Sequence, residues 1–60
     1  MKKLRTLRAQ LFLTQSELAE KAGVSHITVN RVETGKQNPS FKTIRKLAKA
    51  LGVEPGEIKF

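Results

Sequence analysis

Gln15–Val32, QSELAEKAGVSHITVNRV, decides how the rest of the chain is read. At helical spacing it resolves into two short helices broken by one glycine. Leu18, Ala19 and Ala22 form an apolar stripe on the first, and Val29 and Val32 form another on the second. Gly23 lies just past the last periodic residue of the first helix, where a left-handed residue costs glycine least. Ser25 follows as an N-cap for the second. Ala19 is small enough in mid-helix to let another helix cross closely. These features describe a helix-turn-helix, and they make the second helix the candidate to enter a DNA groove.

Outward from that stretch, Thr14 and Glu17 stand at capping-box spacing, T-x-x-E, and open the first of the pair. Upstream, Leu4, Leu7 and Leu11 make an amphipathic stripe that predicts a helix from about Lys2 to Leu11, with Phe12 and Leu13 in a tight connection. The paired helices are expected over about Gln15–Ala22 and His26–Thr34, the second closed by Gly35. Downstream, Gly35–Pro39 reads as a loop. Ser40 then caps a helix whose apolar positions Phe41, Ile44, Leu47, Ala48 and Leu51 carry the clearest 3.6-residue period in the chain. Gly52 ends it, and Pro55 suits the first position of one last helical turn. No alternating strand pattern and no internal repeat are visible. The fold class expected is all-α: five short helices in one domain spanning residues 1–60.

Charge points to a polyanion. Twelve Lys and Arg against five Glu leave a formal net charge of +7 on sixty residues. Met1–Phe12 holds four bases and Lys36–Ala50 five, neither with an acid, while the central pair is close to neutral. Basic flanks around a nearly neutral reader suit phosphate contacts around a base-reading element. A merely soluble surface, or affinity for anionic lipid, would give the same bulk number. The chain has no cysteine, one histidine and no aspartate. That argues against a disulfide framework, a metal centre or a nucleophile–base pair, and fits a cytoplasmic, cofactor-free, non-enzymatic protein. The basic start has no uninterrupted apolar run, so it does not read as a signal peptide, and nothing approaches the ~20 apolar residues of a membrane span.

The wheel of the second paired helix separates its sides. With His26 at the origin, Asn30, Thr34, Ile27 and Arg31 fall at roughly 40°, 80°, 100° and 140°, and Val32 and Val29 at roughly 240° and 300°. The valines face inward and the mixed polar side faces out. Arg31 offers a bidentate pair to guanine, Asn30 to adenine, and Ile27 an apolar surface to a thymine methyl. His26 suits a base edge, a phosphate or water; Ile27 is also consistent with a lone exposed apolar residue. The corner Thr14–Gln15–Ser16 presents helix N-terminal donors to a phosphate, and Gln15 is long enough to reach a base edge. Arg8 and Glu33 could pair and join the first helix to the third, leaving guanidinium donors for a phosphate. Spacing alone does not separate that from two solvated charges.

Taken in order, L-R at Leu7–Arg8, L-T-Q-x-E-L-A at Leu13–Ala19, A-G-V-S at Ala22–Ser25, E-x-G-K at Glu33–Lys36, N-P-S at Asn38–Ser40 and L-A-K-A-L-G-V at Leu47–Val53 resemble the Cro/Xre-type domains of the lambda-repressor-like fold. The likeness runs from Leu4 to about Ile58. It implies a compact five-helix domain that binds double-stranded DNA, usually as a homodimer on a pseudo-palindromic operator. By that likeness Gln15, Ser25, His26, Ile27, Asn30 and Arg31 face the groove, Thr14, Lys36 and Asn38 hold the backbone, and Arg8 pairs with Glu33. The full candidate set for DNA also takes in Ser16 and Thr28. Phe12 departs from the pattern, a glycine being common where the first helix ends. Ile58 and Phe60 are the candidate dimer contacts. The reading that follows is a sequence-specific transcriptional regulator of repressor type. An antitoxin-like module that binds a protein first and DNA second is the alternative. RNA is the weaker partner, because the three Phe show no stacking-platform spacing.

Overall fold

Three hydroxyl side chains start three of the helices. In this computed structural model, which describes residues 1–60, Thr14 Oγ1 accepts from the Glu17 N–H at 3.0 Å while the Thr14 N–H donates to Glu17 Oε1 at 2.8 Å. Ser25 Oγ accepts from the Thr28 N–H at 3.0 Å, and Ser40 Oγ from the Thr43 N–H at 3.2 Å. In chain order the elements are β1 (Lys2–Lys3), α1 (Leu4–Gln10), α2 (Gln15–Ala22), α3 (His26–Glu33), α4 (Phe41–Leu51), a 3₁₀ turn at Pro55–Glu57 and β2 (Ile58–Lys59). The reciprocal Thr14–Glu17 bonds hold the Glu17 carboxyl below its ordinary pKa, the backbone N–H of Thr14 being the larger cause and its side chain the second.

All four α-helices stop in the same way. Two successive N–H groups just past each helix turn back to the carbonyls three and five residues before them, as in Gly23 N to Glu20 O at 3.3 Å and Val24 N to Ala19 O at 3.0 Å. The motif needs one left-handed residue. Gly23, Gly35 and Gly52 supply it at φ of 72°, 76° and 71°, and at the end of α1 Phe12 supplies it at 56°. An added Cβ at Gly23 would touch nothing within 4 Å, so the demand there is conformational and not one of space. Phe12 meets the same demand with a side chain, against the left-handed penalty of L-residues. Its ring is 93% exposed.

Leu18, Val29 and Leu47, all fully buried, sit at the centre of one apolar cluster, with Leu4, Leu7, Ala19, Val32, Ala48, Ala50, Leu51 and Ile58 around them. Every α-helix contributes to it, as the stripes predict. Four expectations need correction. First, the count of five helices becomes four α-helices, a single 3₁₀ turn and a parallel strand pair in which Lys2 faces Ile58 and Lys3 faces Lys59. Second, Leu11 lies beyond the end of α1 and is exposed, because the chain has already begun to turn. Third, Phe41 is 86% exposed. It falls on the correct face of α4 but about 10 Å along the axis from Ala48, past the edge of the core. Fourth, Ile58 is only 3% exposed and belongs to the protomer's own core, so no side-chain surface is left for a dimer contact.

One polar link crosses this apolar frame. Arg8 Nε donates to Glu33 Oε2 at 2.7 Å and Arg8 Nη2 to Glu33 Oε1 at 3.1 Å, so α1 is tied to the end of α3. Arg8 Nη1 donates to the Leu13 carbonyl at 2.7 Å. Three of the five guanidinium N–H groups are thus engaged within the protein, and one remains on each of Nη1 and Nη2. The side chains are 15% and 3% exposed respectively.

Three stability measurements follow from these features. Phe12→Gly is expected to raise the thermal midpoint by roughly 4 °C, equivalent to about 1 kcal/mol, since it relieves left-handed strain and gives up no packing; an unchanged or lower midpoint contradicts this. Arg8→Met is expected to cost about 3 kcal/mol in urea unfolding, and Arg8→Met with Glu33→Met distinctly less, because the single change strands a carboxylate away from water. For Glu17 the folded pKa lies below the unfolded one, so its stabilisation is complete above about pH 4.3 and is lost as the pH falls further. Glu17→Gln keeps the box and should flatten the unfolding midpoint across that acid range.

Candidate nucleic-acid interface

Helix α3 owes its two sides to its shortness and its cap. Ser25 starts it, and Val29 and Val32 are buried against the cluster, which fixes its rotation. His26, Ile27, Asn30 and Arg31 are then exposed together, and Thr28 is half-buried between the two sides. Ile27 is 61% exposed, an apolar surface in the middle of that polar side. No acidic residue stands in the first turn of α3, and Arg31 lies in its last.

The start of α2 approaches the same face. Thr14 and Ser16 are exposed, and Gln15 is half-buried. Gln15 Nε2 donates to Glu33 Oε1 at 3.0 Å, and Gln15 Oε1 accepts from Asn30 Nδ2 at 3.3 Å. The structure therefore brings Gln15, Asn30 and Glu33 together across the α2–α3 angle. The sequence reading has Gln15 reaching for a base edge; in the structure each end of its amide also has one partner inside the chain. The reason is structural: Arg8 makes two of the bonds the Glu33 carboxylate can accept, and with its side chain 3% exposed Glu33 needs further donors.

Ser25 has an exposed hydroxyl 3.0 Å from Thr28 Oγ1, besides its capping bond. Thr34, which the wheel puts on the outward side, turns its hydroxyl back to the Asn30 carbonyl at 2.9 Å. Lys36 and Asn38 are exposed in the loop joining α3 to α4. That loop leaves α3 from the end opposite His26. The site contains no assembled metal ligands, there being no group of three His, Cys or acidic side chains in the chain. No helix is long and apolar enough to cross a membrane.

Comparison with known proteins agrees with this geometry. The helix-turn-helix family matches residues 4–58. An uncharacterized helix-turn-helix-type transcriptional regulator of Methanocaldococcus jannaschii is 46% identical over 56 residues, covering 93% of this chain and 85% of that protein. The cryptic phage CTXphi transcriptional repressor RstR of Vibrio cholerae is 41% identical over 56 residues, covering 93% of this chain and 50% of the repressor. Among solved structures, the restriction-modification controller protein C.AhdI of Aeromonas hydrophila superposes with a TM-score of 0.87 at 44% identity, covering 90% of this chain and 82% of that one. With two crossed helices, a glycine turn between them and an outward polar face on the second, this chain belongs to the Cro/Xre-type helix-turn-helix family.

Proposed function

We propose that this chain is a sequence-specific, double-stranded DNA-binding transcriptional regulator of repressor type that lays α3 in the major groove. The observation that carries the reading is the division of α3: Val29 and Val32 buried, and His26, Ile27, Asn30 and Arg31 exposed along one side. Arg31 donates to a guanine edge, Asn30 meets adenine, and Ile27 packs on a thymine methyl. Thr14, Ser16, Ser25, Thr28, Lys36 and Asn38 lie around that helix as backbone contacts, with the bases of both flanks supplying the sequence-indifferent attraction. Residues 1–60 act as one DNA-binding unit, in the cytoplasm. Two copies on a pseudo-palindromic operator complete the proposal, with exposed Phe60 as the contact between copies now that Ile58 is accounted for by the core.

The test separates reading from holding. Arg31→Ala is expected to cost about 1–3 kcal/mol on a duplex enriched by selection and much less on random duplex, relaxing preference at one base pair per half-site. Lys36→Ala should weaken both duplexes alike. With about six phosphates neutralised per dimer, the log–log salt slope should lie near −5, and Lys36→Ala should reduce it by about 1 for each phosphate lost. Equal losses on both duplexes for both variants, measured by fluorescence anisotropy, refute this division.

A further inference from the structure

A side-chain amide carries its donor and acceptor on opposite arms, and a half-turn about its last bond exchanges them. Its partners alone decide which way it points. In this chain the deciding partner is Glu33. Its carboxylate is held by Arg8 Nε and Nη2, and its oxygens accept. Gln15 must therefore meet it with N–H, as it does at 3.0 Å. That places Gln15 Oε1 at the far end of the amide, and an oxygen there calls for a donor. Asn30 supplies one through Nδ2 at 3.3 Å.

From this we infer that the Arg8–Glu33 pair, acting through Gln15, sets which arm of the exposed Asn30 amide faces which way, so that Gln15 is a positioning residue for base recognition and not itself a base contact. The inference rests on α3 being the groove helix. With one Nδ2 hydrogen given to Gln15, Asn30 retains one N–H and its carbonyl oxygen, in a fixed order. One donor beside one acceptor complements adenine, whose N7 accepts and whose N6 donates. Guanine offers two acceptors, N7 and O6, and would set O6 against Oδ1. An untethered asparagine has the same two groups but must lose its rotational freedom on binding. The tether removes that freedom beforehand.

Selection from a randomised duplex pool tests the relay. Asn30→Ala first identifies the base pair that Asn30 reads, as the position where adenine enrichment disappears. Gln15→Glu sets acceptor against acceptor, and Glu33→Gln lets the relay run in either sense. Each is expected to lower adenine enrichment at that one base pair about tenfold, with other positions unchanged. The swap that combines Gln15→Glu with Glu33→Gln restores a donor at position 33 and acceptors at 15, and should recover the enrichment. Gln15→Met, uncharged and similar in length, should lose it, and thermal melting of each variant separates loss of fold from loss of reading. Full enrichment in Gln15→Met overturns the relay while groove reading stands. So does a swap that melts like the parent yet stays flat, or a loss in Gln15→Met at a base pair that Asn30→Ala leaves untouched. A parent protein that enriches no sequence overturns both the relay and the proposed function.

Discussion

Glu33 is the one nearly buried charged side chain, and α1, α2 and α3 meet at it. Removing a carboxylate from water is expensive, and an ion pair offsets that only when the remaining lone pairs are also satisfied. Here two donors come from Arg8 and one from Gln15, in directions that no apolar contact could specify. Hydrophobic burial has little directional content. The cluster around Leu18, Val29 and Leu47 would tolerate small rotations of α3 about its axis. The bonds at Glu33 would not. Val29 and Val32 give α3 its inward side, and the bonds at Glu33 narrow the rotation that this side allows.

The chain ends meet the same problem of a small core in another way. Sixty residues bury a limited apolar area, and a frayed terminus would forfeit a noticeable part of it. The parallel pairing of Lys2–Lys3 with Ile58–Lys59 closes the chain on itself just where Leu4 and Ile58 enter the core. The two lysines on β1 keep the strand edge charged, which disfavours further pairing with another chain.

Legibility followed the range of the interactions. Helices α2, α3 and α4 were readable because their starts and stops are local: Thr14, Ser25 and Ser40 at one end, Gly23, Gly35 and Gly52 at the other. The inward side of α3 was readable because two valines suffice to orient eight residues. Periodicity gives a face and says nothing of where the core ends along the axis, which is why Phe41 falls on the right side of α4 and still stands in solvent. Two-residue strands are too short to show alternation, so nothing in the sequence signals that Ile58 pairs with Lys2, and the family resemblance alone suggests it as a contact for another copy. Gln15 shows the same limit at the site. Its reach is a property of the residue, while its direction depends on a carboxylate eighteen positions away.

The separation of charge from recognition has a physical reason. Attraction to phosphates grows with net charge and is blind to sequence, so a helix crowded with lysine would hold all DNA nearly alike. Discrimination is built from a few contacts worth about 1–3 kcal/mol each, and a side chain that must first be ordered gives back part of that on binding. Among the exposed residues of α3 there is a single guanidinium, on Arg31, and nine of the other eleven Lys and Arg lie in the flanking segments. With so few reading groups, the order of each one matters, and a short chain has little core with which to impose it. An ion pair that already joins three helices can extend its order to an exposed amide through one intervening side chain. On that view the cost of burying Glu33 and the precision of the outward face have a common origin.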